Sequence, residues 1–434
     1  MNIRISAFGL TALLFAASCS NDETQLINTN GDEITFNTRV SRAVDVSNEA
    51  GQQLASFKVW AHASGFPDNL FIDGLVATKH SEHDYYTFEH SVFWPSGVNS
   101  LDVWAVWPYR TAEGDPAASD YQIDFTSDKP VIKNFVPDKD ITTQKDMVAA
   151  YISQPRSAGT SIPLKFNHAL SQIVVKATRG ANGDKSQTVK IKGAWVVNAR
   201  PQGNLTFVDA IGDDNTRHMS WAAEGDKTYY GIEFDNAKEL NHETTNLLAK
   251  ENGNTHMLLV PQQLDTWNLN DNKDKTQNSK RGGYILVLCR VETKHPGATH
   301  DGSNDGVKPG NDSDPNHYHQ LFPYTGEYKE TQYGFACVPV NTNWEPGKKY
   351  VYTLTFCGYD SGAGVYPPTA RVEEINATLT GNADYITAIP EPVAGVKKEV
   401  GDPVLDNPIR FTVTVEDWTD ASNDGWTNGD INMN

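Results

Sequence analysis

The chain has 434 residues, of which 36 are Lys or Arg and 55 are Asp or Glu, so its formal charge is −19. That length fits two or three domains, and so acidic a chain argues against nucleic acid as a partner. Four cysteines without CxxC spacing exclude the usual zinc and dithiol motifs.

The first segment reads as a processing signal. Arg4 precedes an uncharged, Leu-, Phe- and Ala-rich run over 5–17. The run is too short for the ~30 Å core of a bilayer at about 1.5 Å per residue. It suits the apolar region of a signal peptide. Ala16-Ala17-Ser18-Cys19 then resembles the bacterial lipobox, which implies a signal peptide over 1–18 and acylation of Cys19, with palmitate among the chains. Ser20-Asn21-Asp22-Glu23 is similar to the surface-export signal of Bacteroidetes lipoproteins and opens a polar tether over 19–33.

Beyond the tether, alternation with period two dominates. Phe57, Val59, Ala61 and Ala63 alternate with Lys58, Trp60 and His62, and Leu101, Val103, Ala105 and Trp107 repeat the pattern. Pro155 to Thr160 is a turn-rich break. It divides an N-terminal unit, 34–156, from a C-terminal unit, 162–434, that carries long loops at 265–283 and 294–323. Tyr350, Tyr352, Leu354 and Phe356 alternate, as do Ile409, Phe411, Val413 and Val415. Short strands with one buried face, separated by Gly, Asn, Asp and Pro, predict all-β sandwich domains with few short helices. The best helical candidate, 236–250, has Ala237, Leu240, Leu247 and Leu248 but no continuous apolar stripe. The tail over 419–434 is polar.

Few residues suggest chemistry. Asp301, Ser303 and Asp305, with Asp312 at the twelfth position, match the first half of a calcium loop, in which oxygens at alternate positions converge on one cation. The helical flanks of an EF-hand are missing, and a solvated Asp/Asn/Gly loop is the plainer reading. Cys289, Cys337 and Cys357 sit in apolar runs, the setting of small buried thiols. A disulfide between two of them is the alternative, and the sequence does not choose a pair. No catalytic signature and no cofactor motif occurs: G-x-S-x-G, H-E-x-x-H, Walker A and G-x-G-x-x-G are all missing. The chain therefore reads as a non-enzyme. Trp60, Trp94, Trp104 and Trp107 form either core or a sugar-stacking platform.

Several segments together resemble the fimbrillin-like family of Bacteroidetes. They are Ile34-Thr35-Phe36 with Ser41-Arg42-Ala43, Phe93-Trp94-Pro95 leading into Leu101 to Tyr109, Asp146 to Ala150, Leu164 to Ile173, Met257 to Gln262, Trp344 to Tyr352, and Val413 to Trp418. The resemblance implies two transthyretin-like β-sandwich domains with Greek-key-type connections. It implies a fimbrial subunit, as shaft, anchor or tip, exported as a lipoprotein to the outer membrane and cell surface through the lipid on Cys19. It further implies cleavage by an Arg-specific protease after the first strand, for which Arg39 and Arg42 are the matching positions. The emptied groove is then filled by a strand from another subunit. Ile409, Phe411, Val413 and Val415 are the candidate donor, with a permanent strand of the second domain as the competing reading. Host or bacterial receptors or glycans are the implied outer partners. The alternative is a glycan-binding surface lipoprotein of a polysaccharide-uptake system, which would expose its tryptophans.

Overall fold

The structure is a computed structural model that describes residues 32–40, 54–109, 122–126, 129–180, 187–207, 219–248, 256–270, 279–296, 316–326, 328–390, 397–405 and 407–418. The fold is all-β, as the alternation predicts. Seven strands close into a barrel: β1 (Thr35–Val40), β2 (Ser56–Ala63), β3 (Phe66–Lys79), β4 (Tyr86–Phe88), β5 (Ser100–Trp107), β8 (Val148–Pro155) and β9 (Ser161–His168), in the order β1-β4-β3-β2-β5-β8-β9. The alternating residues Phe57, Val59, Leu101, Val103, Ile162, Leu164 and Phe166 fill its interior. The sequence assigns residues 162–168 to the C-terminal unit, whereas β9 pairs with β1 and β8. The alternation of Ile162, Leu164 and Phe166 identifies a buried face but not its partner.

The C-terminal part is a sandwich. One sheet holds β10 (Ser171–Arg179), β15 (Thr245–Asn246), β16 (Met257–Leu259), β20 (Lys348–Phe356) and β22 (Arg410–Asp417). The other holds β11 (Gln187–Ala199), β14 (Thr228–Glu239), β17 (Tyr284–Pro296), β18 (Asn316–Phe322), β19 (Tyr333–Pro339) and β21 (Tyr385–Ile386). Val175, Ile191, Val287, Tyr352 and Leu354 interleave between the sheets. The eight-residue helix α1 (Thr369–Asn376) covers the outer face of the second sheet through Val372 and Ile375. The helix expected over 236–250 does not form, because β14 runs on to Glu239 and β15 follows at Thr245. There Lys190 pairs with Glu239, so the β11 ladder captures the segment.

A third, four-stranded sheet joins the two parts. β6 (Gln122–Thr126) and β7 (Lys129–Phe135) come from the N-terminal half, and β12 (Gln202–Phe207) and β13 (Met219–Glu224) from the C-terminal half. Ile132 pairs with Leu205 and Val131 with Thr206. Beneath this sheet Trp60, Trp104, Leu170, Phe207, Val260 and Trp418 make a core drawn from both halves.

Candidate assembly surfaces

β1 and the residue before it supply two large apolar side chains to the barrel. Ile34, just before it, and Phe36 within it are fully buried. The Phe36 ring meets Phe57 at 5.9 Å and Phe88 at 5.4 Å, both edge-on. Such pairs add roughly 0.5–1.5 kcal/mol to simple burial. The backbone of β1 is held unequally. It runs parallel to β9 over six residue pairs, from Thr35↔Ser161 to Val40↔Phe166, but meets β4 only at Phe36↔Tyr86. A clamp precedes it, in which Ile34 N–H donates to the Val92 carbonyl and Arg156 pairs with Asp32 at 2.5 Å. Along residues 161–166, β9 has β1 as its strand partner, and its contact with β8 is confined to Asn167 and His168.

β22 is an edge strand of its sheet. It pairs antiparallel with β20 from Lys348↔Asp417 to Thr355↔Arg410. Its far edge has no partner strand among the described residues. Ile409 is buried, Val413 packs on the sandwich core, and Phe411 and Val415 remain 37% and 53% exposed. Lys348–Asp417 at 2.5 Å and Lys349–Glu416 at 3.8 Å tie the strand to β20. Half-exposed pairs of this kind contribute about 0–1 kcal/mol each. The strand therefore has one hydrogen-bonded neighbour and two apolar side chains left in water.

Its C-terminal end is fixed more firmly. Trp418 is 5% exposed, donates its backbone N–H to the Gly347 carbonyl at 3.0 Å, and stacks its ring on His168 at 3.8 Å with an interplanar angle of 13°. His168 Nδ1 lies 2.5 Å from Asp146 Oδ2, and both side chains are buried. Asp146 lies two residues before β8 and His168 ends β9, so the ring rests on the junction of barrel and sandwich. His256 lies beside Trp418, and burial, then His168 and Lys349, push its pKa down to about 4. Gly347 adopts φ +66°, and a Cβ there would stand 3.2 Å from the His168 carbonyl, so this turn favours glycine.

The other sequence-level candidates fall as follows. Arg39 lies in β1, its backbone opposite Lys165. Cys19, Arg42, Asp301, Ser303, Asp305 and Asp312 lie outside the described residues. Cys289, Cys337 and Cys357 are buried free thiols, and burial raises the pKa of each. Trp60, Trp94, Trp104 and Trp107 are between 0% and 9% exposed, so these rings are core and offer no stacking platform. No group of three or more His, Cys, Asp or Glu able to hold a metal occurs among the described residues. Nor, among them, is any helix long and apolar enough to cross a membrane.

An all-β protein with a closed barrel, a sandwich and an open edge strand defines the structural class. A profile of fimbrillin-like proteins matches residues 38–293. The chain belongs to that fimbrillin-like family, which gives it a fimbrial, structural or adhesive role at the cell surface. A fimbrial protein from Bacteroides vulgatus has the same fold at 13% identity, with a TM-score of 0.50 over 89% of this chain and 99% of that one. A candidate cell adhesion protein from Bacteroides uniformis aligns at 12% identity and a TM-score of 0.38, covering 90% of this chain and 100% of that one. No curated protein matches the chain.

Proposed function

We propose that this protein is a fimbrial subunit that assembles by β-strand addition, with β1 as the strand that leaves and β22 as the strand that is given. The supporting observation is the position of β1 in the barrel. It is a short segment, held by one long ladder and one short one, and its loss vacates the places of Ile34 and Phe36 and strips β9 of its partner over six residues. An edge so exposed recruits a new strand because its N–H and C=O groups and its apolar slot are otherwise unsatisfied. In this reading the lipid on Cys19 carries the chain to the outer membrane, and cleavage after Arg39 or Arg42 separates the subunit from that lipid. The segment from Ile409 to Val415 then serves a neighbouring subunit, since Phe411, Val413 and Val415 present alternate apolar side chains from an edge with a single partner. The barrel over 34–156 with β9, and the sandwich over the remainder, act as acceptor and donor units.

The test is digestion of the purified chain with an Arg-specific protease, followed by N-terminal mass spectrometry and negative-stain microscopy. The expected product begins just after Arg39 or Arg42 and forms detergent-resistant oligomers or filaments. A product cut at those positions that stays monomeric at high concentration overturns strand addition.

A further inference from the structure

Among the edges of the sandwich, β22 stands apart. β15, β16 and β21 have two or three residues each, and β14 and β18 meet their neighbours across register shifts. β22 runs for eight residues without proline or glycine, and its ladder with β20 has no register shift. Folded proteins normally blunt a long edge with a bulge, a proline or a short strand, because its outer N–H and C=O groups template another strand. The direction of its hydrogen bonds is fixed at both ends. The Trp418 N–H bonds to the Gly347 carbonyl, and the Arg410 N–H bonds to Ser361 Oγ at 2.8 Å, which itself donates to the Thr355 carbonyl. The even-numbered residues therefore turn their backbone groups toward β20, and Phe411, Val413 and Val415 turn theirs outward.

The strand is also complementary to itself. Set antiparallel to a second copy about Val413, it places Arg410 opposite Glu416, Phe411 opposite Val415, Thr412 opposite Thr414, and Val413 opposite Val413. Charged, apolar and hydroxyl side chains each meet their match, the pairs that stabilise neighbouring strands. A slip of one residue sets Phe411 against Glu416 and Val415 against Thr412, so the pattern specifies a single register. Opposite residues share a face of the sheet. Phe411 and Val415, both in water on the single chain, therefore cover one another on the face where Val413 packs on the core. A cavity of about 540 Å³ opens on that face beneath the edge, between Ile409 and Phe411 on one side and Val338, Val340 and Trp267 on the other. Val415 of the second copy, beside Phe411, closes it. Arg410 and Glu416 meet on the outer face. Glu416 lies 3.8 Å from Lys349 there, so charges alternate across the joined strands from Lys349 to Glu416 to Arg410 of the second copy. Arg410 has a 67% exposed side chain and a surface pair with Asp360 at 2.9 Å, so it gives up little by turning to Glu416.

We infer that two copies of the uncut chain associate through their β22 edges, antiparallel and centred on Val413, joining two sandwiches through one continuous sheet. The outward backbone groups of Phe411, Val413 and Val415 exchange hydrogen bonds across the two-fold axis. The axis repeats the Arg410–Glu416 pair at both ends of the contact. The match of the strand to itself in charge and apolar pattern selects a second copy over an unrelated strand. The inference does not rest on strand addition, since β1 stays in the barrel and each copy keeps β22 in its own sheet.

The test is sedimentation velocity of the uncut chain over a concentration series, with Arg410→Glu and Glu416→Arg as variants. The wild type is expected to dimerise reversibly. Either variant alone sets like charges opposite one another at both ends of the contact and should raise the dimer dissociation constant about tenfold or more. An equimolar mixture of the two should recover dimers, because opposite charges then meet at both ends. Val415→Lys leaves Arg410 and Glu416 in place and should weaken the dimer as well. At concentrations where the wild type is monomeric, all of these proteins should melt together with it, which separates lost pairing from lost folding. A wild type that stays monomeric throughout, a dimer indifferent to both charge reversals, or a mixture that associates no better than its components each overturns the inference. None of these outcomes bears on strand addition, which is read on the chain cut after Arg39 or Arg42.

Discussion

Arg290 is 1% exposed and Glu292 is 3% exposed, two residues apart on β17, so their charges must be satisfied inside the protein. Arg290 Nε donates to Glu292 Oε1 at 2.6 Å, Tyr328 Oη donates to the same oxygen at 3.0 Å, and the Arg290 guanidinium also donates to the carbonyls of Lys329 and Gln332. The group pins the segment after β18 onto the sheet. Burial alone would raise the Glu292 pKa, but Arg290, Lys190 and the Tyr328 hydroxyl outweigh it, and the pKa is lowered. A carboxyl with a depressed folded pKa contributes stability that is present above its unfolded value, about 4.3, and is lost as pH falls through the folded value. Glu292→Gln leaves Arg290 buried without its counter-charge and should cost about 3–5 kcal/mol at neutral pH. Its melting temperature should also fall less steeply than the wild type's below pH 4, which a calorimetric pH series measures. The cysteines give a second residue-scale expectation. Burial holds all three protonated, with Cys357 pushed up to about 12, so a thiol reagent such as Ellman's should label none of Cys289, Cys337 and Cys357 in the native fold and all three after denaturation.

Among the elements, β22 is the one whose sequence pattern was plain and whose status was not. Phe411, Val413 and Val415 announce a strand with one apolar face, but period two cannot say whether that face is covered, and two of the three turn out to be exposed. β9 shows the same limit, because its buried face was legible while its partner, the parallel strand β1 far away in the chain, was not. The helix over 236–250 failed because scattered leucines at Leu240, Leu247 and Leu248 belong to a strand end and a turn rather than one helical face. The true helix carried a better signal, Pro367-Pro368 ahead of Val372, Ile375 and Leu379, in a stretch dominated by proline and glycine. The hold on β22 is a tertiary matter, concentrated in Trp418. Trp418→Ala should remove the stack on His168 and cost about 3–5 kcal/mol locally. Amides of Val415 to Trp418 should then exchange faster, with those of β17 unchanged. His256 adds a pH dependence to the same contact. Its folded pKa of about 4 lies below the unfolded ~6.5, so the neutral ring belongs to the native state. The stabilisation is complete above pH 6.5 and drains away as pH falls toward 4. Exchange at Trp418 should accelerate over that window, and a flat profile there would contradict the assignment.

At the scale of the whole molecule, the barrel and the sandwich do not meet as two beads on a string. The sheet of β6, β7, β12 and β13 draws two strands from each half, and the core under it takes Trp60 and Trp104 from the barrel, Leu205 and Val260 from beyond it and Trp418 from the C-terminus. A subunit of a filament gains from this, because load entering through one half passes to the other across hydrogen-bonded strands rather than a flexible linker. The same arrangement confines the effect of losing β1. Among the described residues, 32–40 contribute no strand to the joining sheet, so removal of the chain through Val40 should open the barrel while leaving its attachment intact. Burial of Ile34 and Phe36 is worth roughly 1.5–3 kcal/mol each, or about 3–6 kcal/mol together. At about 1.4 kcal/mol per factor of ten, amide exchange in β9 and β4 of a chain lacking residues 1–40 should rise by roughly two to four orders of magnitude. Amides of β11 and β17, in the far sheet of the sandwich, should keep their wild-type rates. Adding a synthetic peptide of residues 407–418 should restore protection in β9 if that segment fits the vacated slot, whereas a scrambled peptide should not. Equal acceleration in β9 and β17 would mean that the two halves unfold as one, and protection in β9 that survives the truncation would mean that β1 is dispensable to the barrel.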